Sequence, residues 1–173
     1  MIDFTTIAYL KNGNKRQQYA FEILKKYEIF EKLNAYFPVL AGTIPIEIDI
    51  EGSDLDIICE VDLQFQEVFI ETVKNCIPDH TEVHIENMAV NGEQCIVINY
   101  KLKGFLIEIF GQNKPPLQQN AYRHMISEHK ILQEKGENFK QKIIELKKEG
   151  MKTEPAFGLL LGLENPYEEL LKF

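Results

Sequence analysis

Cysteine, long apolar runs and, over one long stretch, positive charge are what this 173-residue sequence has little of. The three cysteines, Cys59, Cys76 and Cys95, are odd in number and set among apolar neighbours. That excludes a disulfide frame or a zinc knuckle and predicts buried free thiols in a reducing compartment. No apolar run approaches the ~18 residues of a membrane span. The opening residues, MIDFTTIAYLKNGNKRQ, lack the basic-then-apolar layout of a signal peptide, so a cytoplasmic location without a membrane is expected. Internal repeats, low-complexity segments and long linkers are also missing. What remains is an ordinary globular composition, 45% hydrophobic and 27% charged, of a length that favours one domain.

The formal net charge is −8, which argues against nucleic acid as a bulk partner, because phosphate affinity comes from Lys and Arg. The charge is unevenly distributed. Residues 33–73 contain no Lys, Arg or His and hold nine acids: Glu47, Asp49, Glu51, Asp54, Asp56, Glu60, Asp62, Glu67 and Glu71. The remaining residues carry 18 acids against 19 bases, so the whole imbalance lies in one segment. Like charges at that density repel and ask for a counter-ion.

Apolar residues at spacings of three and four (Ala20, Phe21, Leu24, Tyr27, Phe30, Leu33, Phe37) predict a helix over 15–37, ended by Pro38. Val39–Thr43 reads as a short strand. IPIEIDI, residues 44–50, alternates strictly and reads as a strand or extended segment, with Glu47 and Asp49 on its polar side. Leu55–Val61 is a strand rich in β-branched residues, and Asp62 is placed to cap a helix over 64–75. Strands at 82–86, 94–101 and 105–110 follow, split by Asn91-Gly92, a strong hairpin signal, and by Gly104. Helices are expected at 117–134, at 137–149, around 155–163 and in a short tail. The order predicts an α+β fold with helices on one face of a small mixed sheet and a C-terminal helical segment. We divide the single domain 1–173 into a core of 1–112 and a helical extension of 113–173.

The chemistry is carried by Asp54 and Asp56, which as i and i+2 in a strand point to one face and can converge on a hard cation. Asp-x-Asp spacing alone is uninformative, since chance gives about four such pairs at this acid content and 47/49, 49/51, 54/56 and 60/62 supply four. Context adds weight. The turn Gly52-Ser53 feeds Asp54 into a strand entrance, and Asp56 is followed by the apolar Ile57-Ile58-Cys59. Glu108 interrupts FLIEIF, where a lone buried acid is costly without a partner; a metal shared with Asp54 and Asp56 would supply one. Gly42 permits close approach of a phosphate to the backbone, and the hydroxyl of Thr43 can bond it. Ser53 is a further cradle candidate.

LAGT (40–43), ten residues, and DLDI (54–57) resemble the signature of the polymerase-beta-like nucleotidyltransferases. More closely, LAGTIPIEIDIEGSDLDIICE, IEIFGQ, QNAYRHM and KTEPAFGLLLGL together resemble an uncharacterised bacterial family of about this size within that superfamily. The resemblance implies a nucleotidyltransferase-like sheet, with Asp54, Asp56 and Glu108 as ligands of Mg²⁺ or Mn²⁺ and a nucleoside triphosphate as partner. It implies transfer of a nucleotidyl group to an unspecified acceptor. Hydrolysis of a phosphoanhydride at the same site, and a non-catalytic module that binds a nucleotide or a partner, are the alternatives. Two departures stand out. Thr43 replaces the usual Ser or Gly, and the superfamily starts a helix after that position where this sequence reads as extended chain. Either Pro45 opens a short helical turn or the phosphate cradle is remodelled.

Arg123 and His124 are secondary catalytic candidates, as a phosphate clamp and a proton carrier. Gln112 and Asn113 are placed to read a base or sugar. His80 and His84 are expected to be surface residues. The basic helix 135–152, with glutamates interleaved at i,i+4, is expected to be a solvated, salt-laced face.

Overall fold

The computed structural model describes residues 2–173. Five strands form one sheet in the order β1-β2-β5-β4-β3: β1 (Val39–Ala41), β2 (Leu55–Glu60), β3 (Val83–Val90), β4 (Glu93–Leu102) and β5 (Phe105–Gln112). Only the central β2–β5 pair is parallel; the other three pairs are antiparallel. β3, β4 and β5 are consecutive hairpin partners. Both turns place their two residues in the left-handed region, Asn91 and Gly92 at φ 52 and 79, Lys103 and Gly104 at φ 49 and 90. These are the turns whose twist matches the flanking strands.

Alternation along the strands sorts the core into two. Leu55, Ile57, Cys59, Ile96, Ile98, Ile107 and Ile109 face one way and pack with α1 (Lys15–Lys26), α2 (Ile29–Lys32) and α3 (Gln66–Lys74). The opposite parity, with Val39, Ala41, Ile58 and half-buried Phe110, packs against α4 (Asn120–Lys135), α5 (Glu137–Lys148) and α6 (Thr153–Leu161), next to the short α7 (Pro166–Glu169). The α+β class and the mixed sheet match expectation; helices on one face do not. Both faces are covered, because the C-terminal helical segment has an apolar stripe of its own to bury.

Two local expectations are corrected. The helix predicted over 15–37 breaks: Glu28 and Phe37 take left-handed φ of 54 and 50, and the chain between them is α2 and a single 3-10 turn. The segment predicted as extended, 44–50, begins as a turn. Glu47 N donates to the Ile44 carbonyl at 3.3 Å and Ile48 N to the Thr43 carbonyl at 3.1 Å. Its alternating isoleucines reflect a crossing between the two cores, since Ile44 packs in the first while Ile46 and Ile48 pack in the second. All three cysteines are free and buried, as expected, and His80 and His84 are exposed; Asp62 accepts from Gln64 N at 3.0 Å but caps a 3-10 turn over Leu63–Phe65, not α3, whose N-cap Phe65 makes no side-chain bond. No helix among the described residues is long and apolar enough to cross a membrane.

Gly111 lies where β5 meets both β4 and α3. A Cβ there would stand 2.8 Å from Val61 Cγ2, 2.9 Å from Ile96 Cγ2 and 3.1 Å from the Phe69 ring. Gly111→Ala is therefore expected to cost about 1–3 kcal/mol through overpacking, read as a lower urea midpoint; an unchanged midpoint would show that the sheet can shift to admit a methyl group.

Candidate carboxylate site

Parallel pairing of β2 with β5 sets Asp56 directly beside Glu108, and antiparallel pairing with β1 sets Ala41 on its other flank. Asp54 lies two residues earlier on the same face. All three carboxylates open into a cavity of about 580 Å³ between the sheet and the C-terminal helices. Burial is the main cause that raises the proton affinity of Asp56 well above the usual carboxylate range, followed by the charges of Asp54 and Glu108. Glu108 is raised by burial and then by Asp54. The charge of Asp54 thus opposes ionisation of both Asp56 and Glu108, and that of Glu108 opposes ionisation of Asp56, the condition a cation relieves.

Gly42 adjoins this group with φ +82, and a Cβ on it would stand 2.1 Å from Asp56 Oδ2. Only glycine leaves room there. Thr43 lines the cavity beside it, and Ser53 lines the cavity with its hydroxyl already accepting from Ile50 N at 2.9 Å. His124 also lines the cavity, but both ring nitrogens are engaged: Nε2 lies 2.8 Å from the Tyr167 carbonyl and Nδ1 lies 3.5 Å from Glu154. Arg123 is exposed on α4 and outside the cavity. Gln112 lines the wall and donates from Nε2 to Glu93 at 2.7 Å, while Asn113 faces a shallower depression next to it.

The helical wall holds residues that the sequence reading passed over. Lys147, in the helix expected to be wholly solvated, is 6% exposed, and its Nζ donates to the Ile48 carbonyl at 2.7 Å. Glu128 on α4 is 4% exposed and no hydrogen bond or ion pair among the described residues reaches its carboxyl; Glu154 from α6 stands on the same wall. Both signals were in the spacing. Lys147 follows Ile143 by four, and Glu128 sits four from Leu132 and three from Met125, so each falls on its helix's apolar stripe. Burial pushes Glu128 up to about 8, with Glu154 adding to the rise and Lys147 opposing it. Burial lowers Lys147, against the pull of Glu128, Asp49, Glu154 and Asp54.

As the side chains stand, no three His, Cys, Asp or Glu among the described residues are close enough to enclose an ion. The donor set nevertheless fits a hard divalent cation. It offers carboxylate oxygens only, the charges of Asp54 and Glu108 oppose ionisation of Asp56, and among the described residues no Lys or Arg forms an ion pair with them.

The five-stranded mixed sheet with helices on both faces is nucleotidyltransferase-like in fold. Solved structures of this architecture include Cid1, described as an RNA terminal uridylyl transferase (TM-score 0.52, 12% identity, 77% of this chain and 40% of that one). A second is the Cid1 poly(U) polymerase with MgGTP bound (TM-score 0.52, 13% identity, 77% and 41%). A third is the GLD-2/RNP-8 complex (TM-score 0.55, 12% identity, 90% and 61%). The chain spans about two fifths of the length of the Cid1 structures. No curated protein matches the sequence. By sequence the chain belongs to the family described as Domain of unknown function (DUF4269), whose profile matches residues 22–173.

Glu128 makes the pH dependence of stability specific. The unfolded carboxyl ionises near 4.5, whereas the folded one keeps its proton to about 8. Between those values the folded state binds more protons, so stability falls as pH rises. Glu128→Gln removes this term, and its melting temperature relative to the wild type should climb from pH 5 to pH 8 and then level off. A difference that stays constant across that range would mean that Glu128 titrates like an exposed carboxyl.

Proposed function

We propose that this protein is a metal-dependent nucleotidyltransferase, taking a nucleoside triphosphate and passing its nucleotidyl group to an acceptor whose identity is open. The observation that carries the reading is the placement of Asp54, Asp56 and Glu108 on one sheet face against the bare backbone of Gly42. In this reading residues 1–112 are the catalytic core and 113–173 an extension that closes the cavity.

Asp54, Asp56 and Glu108 would hold Mg²⁺ or Mn²⁺, which when bound neutralises phosphate charge and favours the ionised form of a nearby hydroxyl. The chain's own part is positioning. Gly42 and Thr43 seat a phosphate against the backbone, with the turn beginning at Pro45 in place of a full helix. Lys147 supplies a fixed positive charge on the opposite wall. The acceptor oxygen forms a bond to the α-phosphorus, the bond from that phosphorus to the bridging oxygen breaks, and pyrophosphate leaves with the bonding pair. The acceptor's proton passes to solvent. With water as acceptor the same steps release a nucleoside monophosphate. The acidic segment argues for a cation and an anionic ligand held through it, and a cytoplasmic setting supplies both.

Calorimetric titration with Mn²⁺ and ATP tests the site. Asp56→Asn should weaken binding by more than the ~10–100-fold typical of outer-shell changes. Gly42→Ala should weaken it too, although it removes no donor, because its methyl group displaces the Asp56 carboxylate. Binding by the wild type that neither substitution alters would sink the assignment. Nucleotide binding that persists without divalent ions would favour the non-catalytic reading.

A further inference from the structure

Between the glycine turn and the first acid runs a connector, residues 44–53, that belongs to no strand or helix. Its internal hydrogen bonds are few: the turn at 44–48, and Ser53 N donating to the Ile50 carbonyl at 3.0 Å with Ile50 N donating back to Ser53 Oγ at 2.9 Å. Side chains from distant elements hold the rest. Gln17 on α1, 3% exposed, donates from Nε2 to the Ile44 and Pro45 carbonyls at 3.0 and 3.2 Å. Its orientation is fixed, because its Oε1 accepts from Asn14 N at 2.9 Å. Next to it, Arg16 donates from Nη2 to the Ser53 carbonyl at 2.9 Å, places Nε 3.1 Å from Asp49 Oδ2, and stacks its guanidinium 4.9 Å above the Phe105 ring.

The Ser53 carbonyl belongs to the peptide unit that carries the Asp54 N–H. A planar group held on three sides by α1, β5 and Asp49 therefore fixes the peptide plane from which Asp54 departs. The Asp49 carboxylate pairs with the same guanidinium, which ties the middle of the connector to α1 as well. Both Arg16 and Gln17 precede residue 22, where the family match begins.

We propose that Arg16 is a positioning residue of the carboxylate site, presenting Asp54 on the face shared with Asp56 and Glu108. The working unit then starts at α1, ahead of the segment that the family match covers. The proposal rests on the metal-site reading above. Arg16 makes no contact with the ligand; it acts through Ser53 and Asp49, with Gln17 bracing the other end of the connector.

Mn²⁺ titration by electron paramagnetic resonance on the full-length chain, well below every melting temperature, separates positioning from plain stabilisation. Arg16→Met should bind Mn²⁺ about 10–100-fold more weakly, as removal of an outer-shell partner does. Arg16→Lys keeps the charge but cannot donate to the Ser53 carbonyl and pair with Asp49 from one planar group, and should fall between Arg16→Met and the wild type. Asp56→Asn serves as the reference for a lost ligand. If the wild type binds Mn²⁺, Asp56→Asn does not, and Arg16→Met matches the wild type, the proposal is overturned while the metal site stands. If the wild type itself fails to bind, the metal-site reading falls and this one with it. Should Arg16→Met not fold, Arg16→Lys decides alone: weaker Mn²⁺ binding at an intact fold supports positioning, and wild-type affinity overturns it.

Discussion

Mutual repulsion among Asp54, Asp56 and Glu108 is the constraint around which this molecule is arranged. Parallel pairing of β2 with β5 leaves no freedom in the matter, since register places Asp56 beside Glu108. Burial then removes much of the water that would screen them. A sheet optimised for stability alone would carry apolar side chains at these positions, as it does one row further along, where Ile58 sits beside Phe110. The acids are a local cost to the fold, and such costs concentrate where a ligand will offset them.

The helical layer continues the same electrostatics. Lys147 is a cation buried against the cavity, and its ammonium is secured by the Ile48 carbonyl, in the connector that leads to Asp54. Lys140, about two turns earlier on α5, pairs with Glu47 in that connector at 2.7 Å. From the opposite side α1 contributes Arg16 and Gln17. A ten-residue stretch with almost no structure of its own is thus suspended between the first and the fifth helices, and it carries the glycine turn at one end and the first acid at the other. The net charge of −8, concentrated in residues 33–73, is partly answered within the fold by these three cations, none of which lies inside that segment.

Much of the sheet was legible in the sequence. Asn91-Gly92 marks its hairpin because two successive left-handed residues are cheap only for such pairs, and the parity of FLIEIF correctly sets Glu108 apart from Ile107 and Ile109. The three acids, Gly42 and Thr43 line one cavity. What misled were patterns with two physical origins. Alternating isoleucines arise in a strand, but equally in a turn that threads between two cores, as at Ile44, Ile46 and Ile48. Helical spacing continued through Glu28 and Phe37, where tertiary packing imposes left-handed backbone that propensity does not foresee. Lys147 was hidden by its company: among six lysines in one helical stretch, the single buried one is distinguished only by its phase with Ile143. Arg123 failed for the converse reason, since adjacency to His124 in sequence puts it about 100° away around the helix.

The central claim is that the three carboxylates form one cation site. A crystal structure of the protein soaked with Mn²⁺ and a non-hydrolysable triphosphate, read at the manganese absorption edge, tests it most directly. The account predicts an anomalous peak within coordination distance of Asp54, Asp56 and Glu108, with triphosphate oxygens beside Gly42 and Thr43. Manganese bound elsewhere, or a triphosphate lodged away from that sheet face, would contradict it.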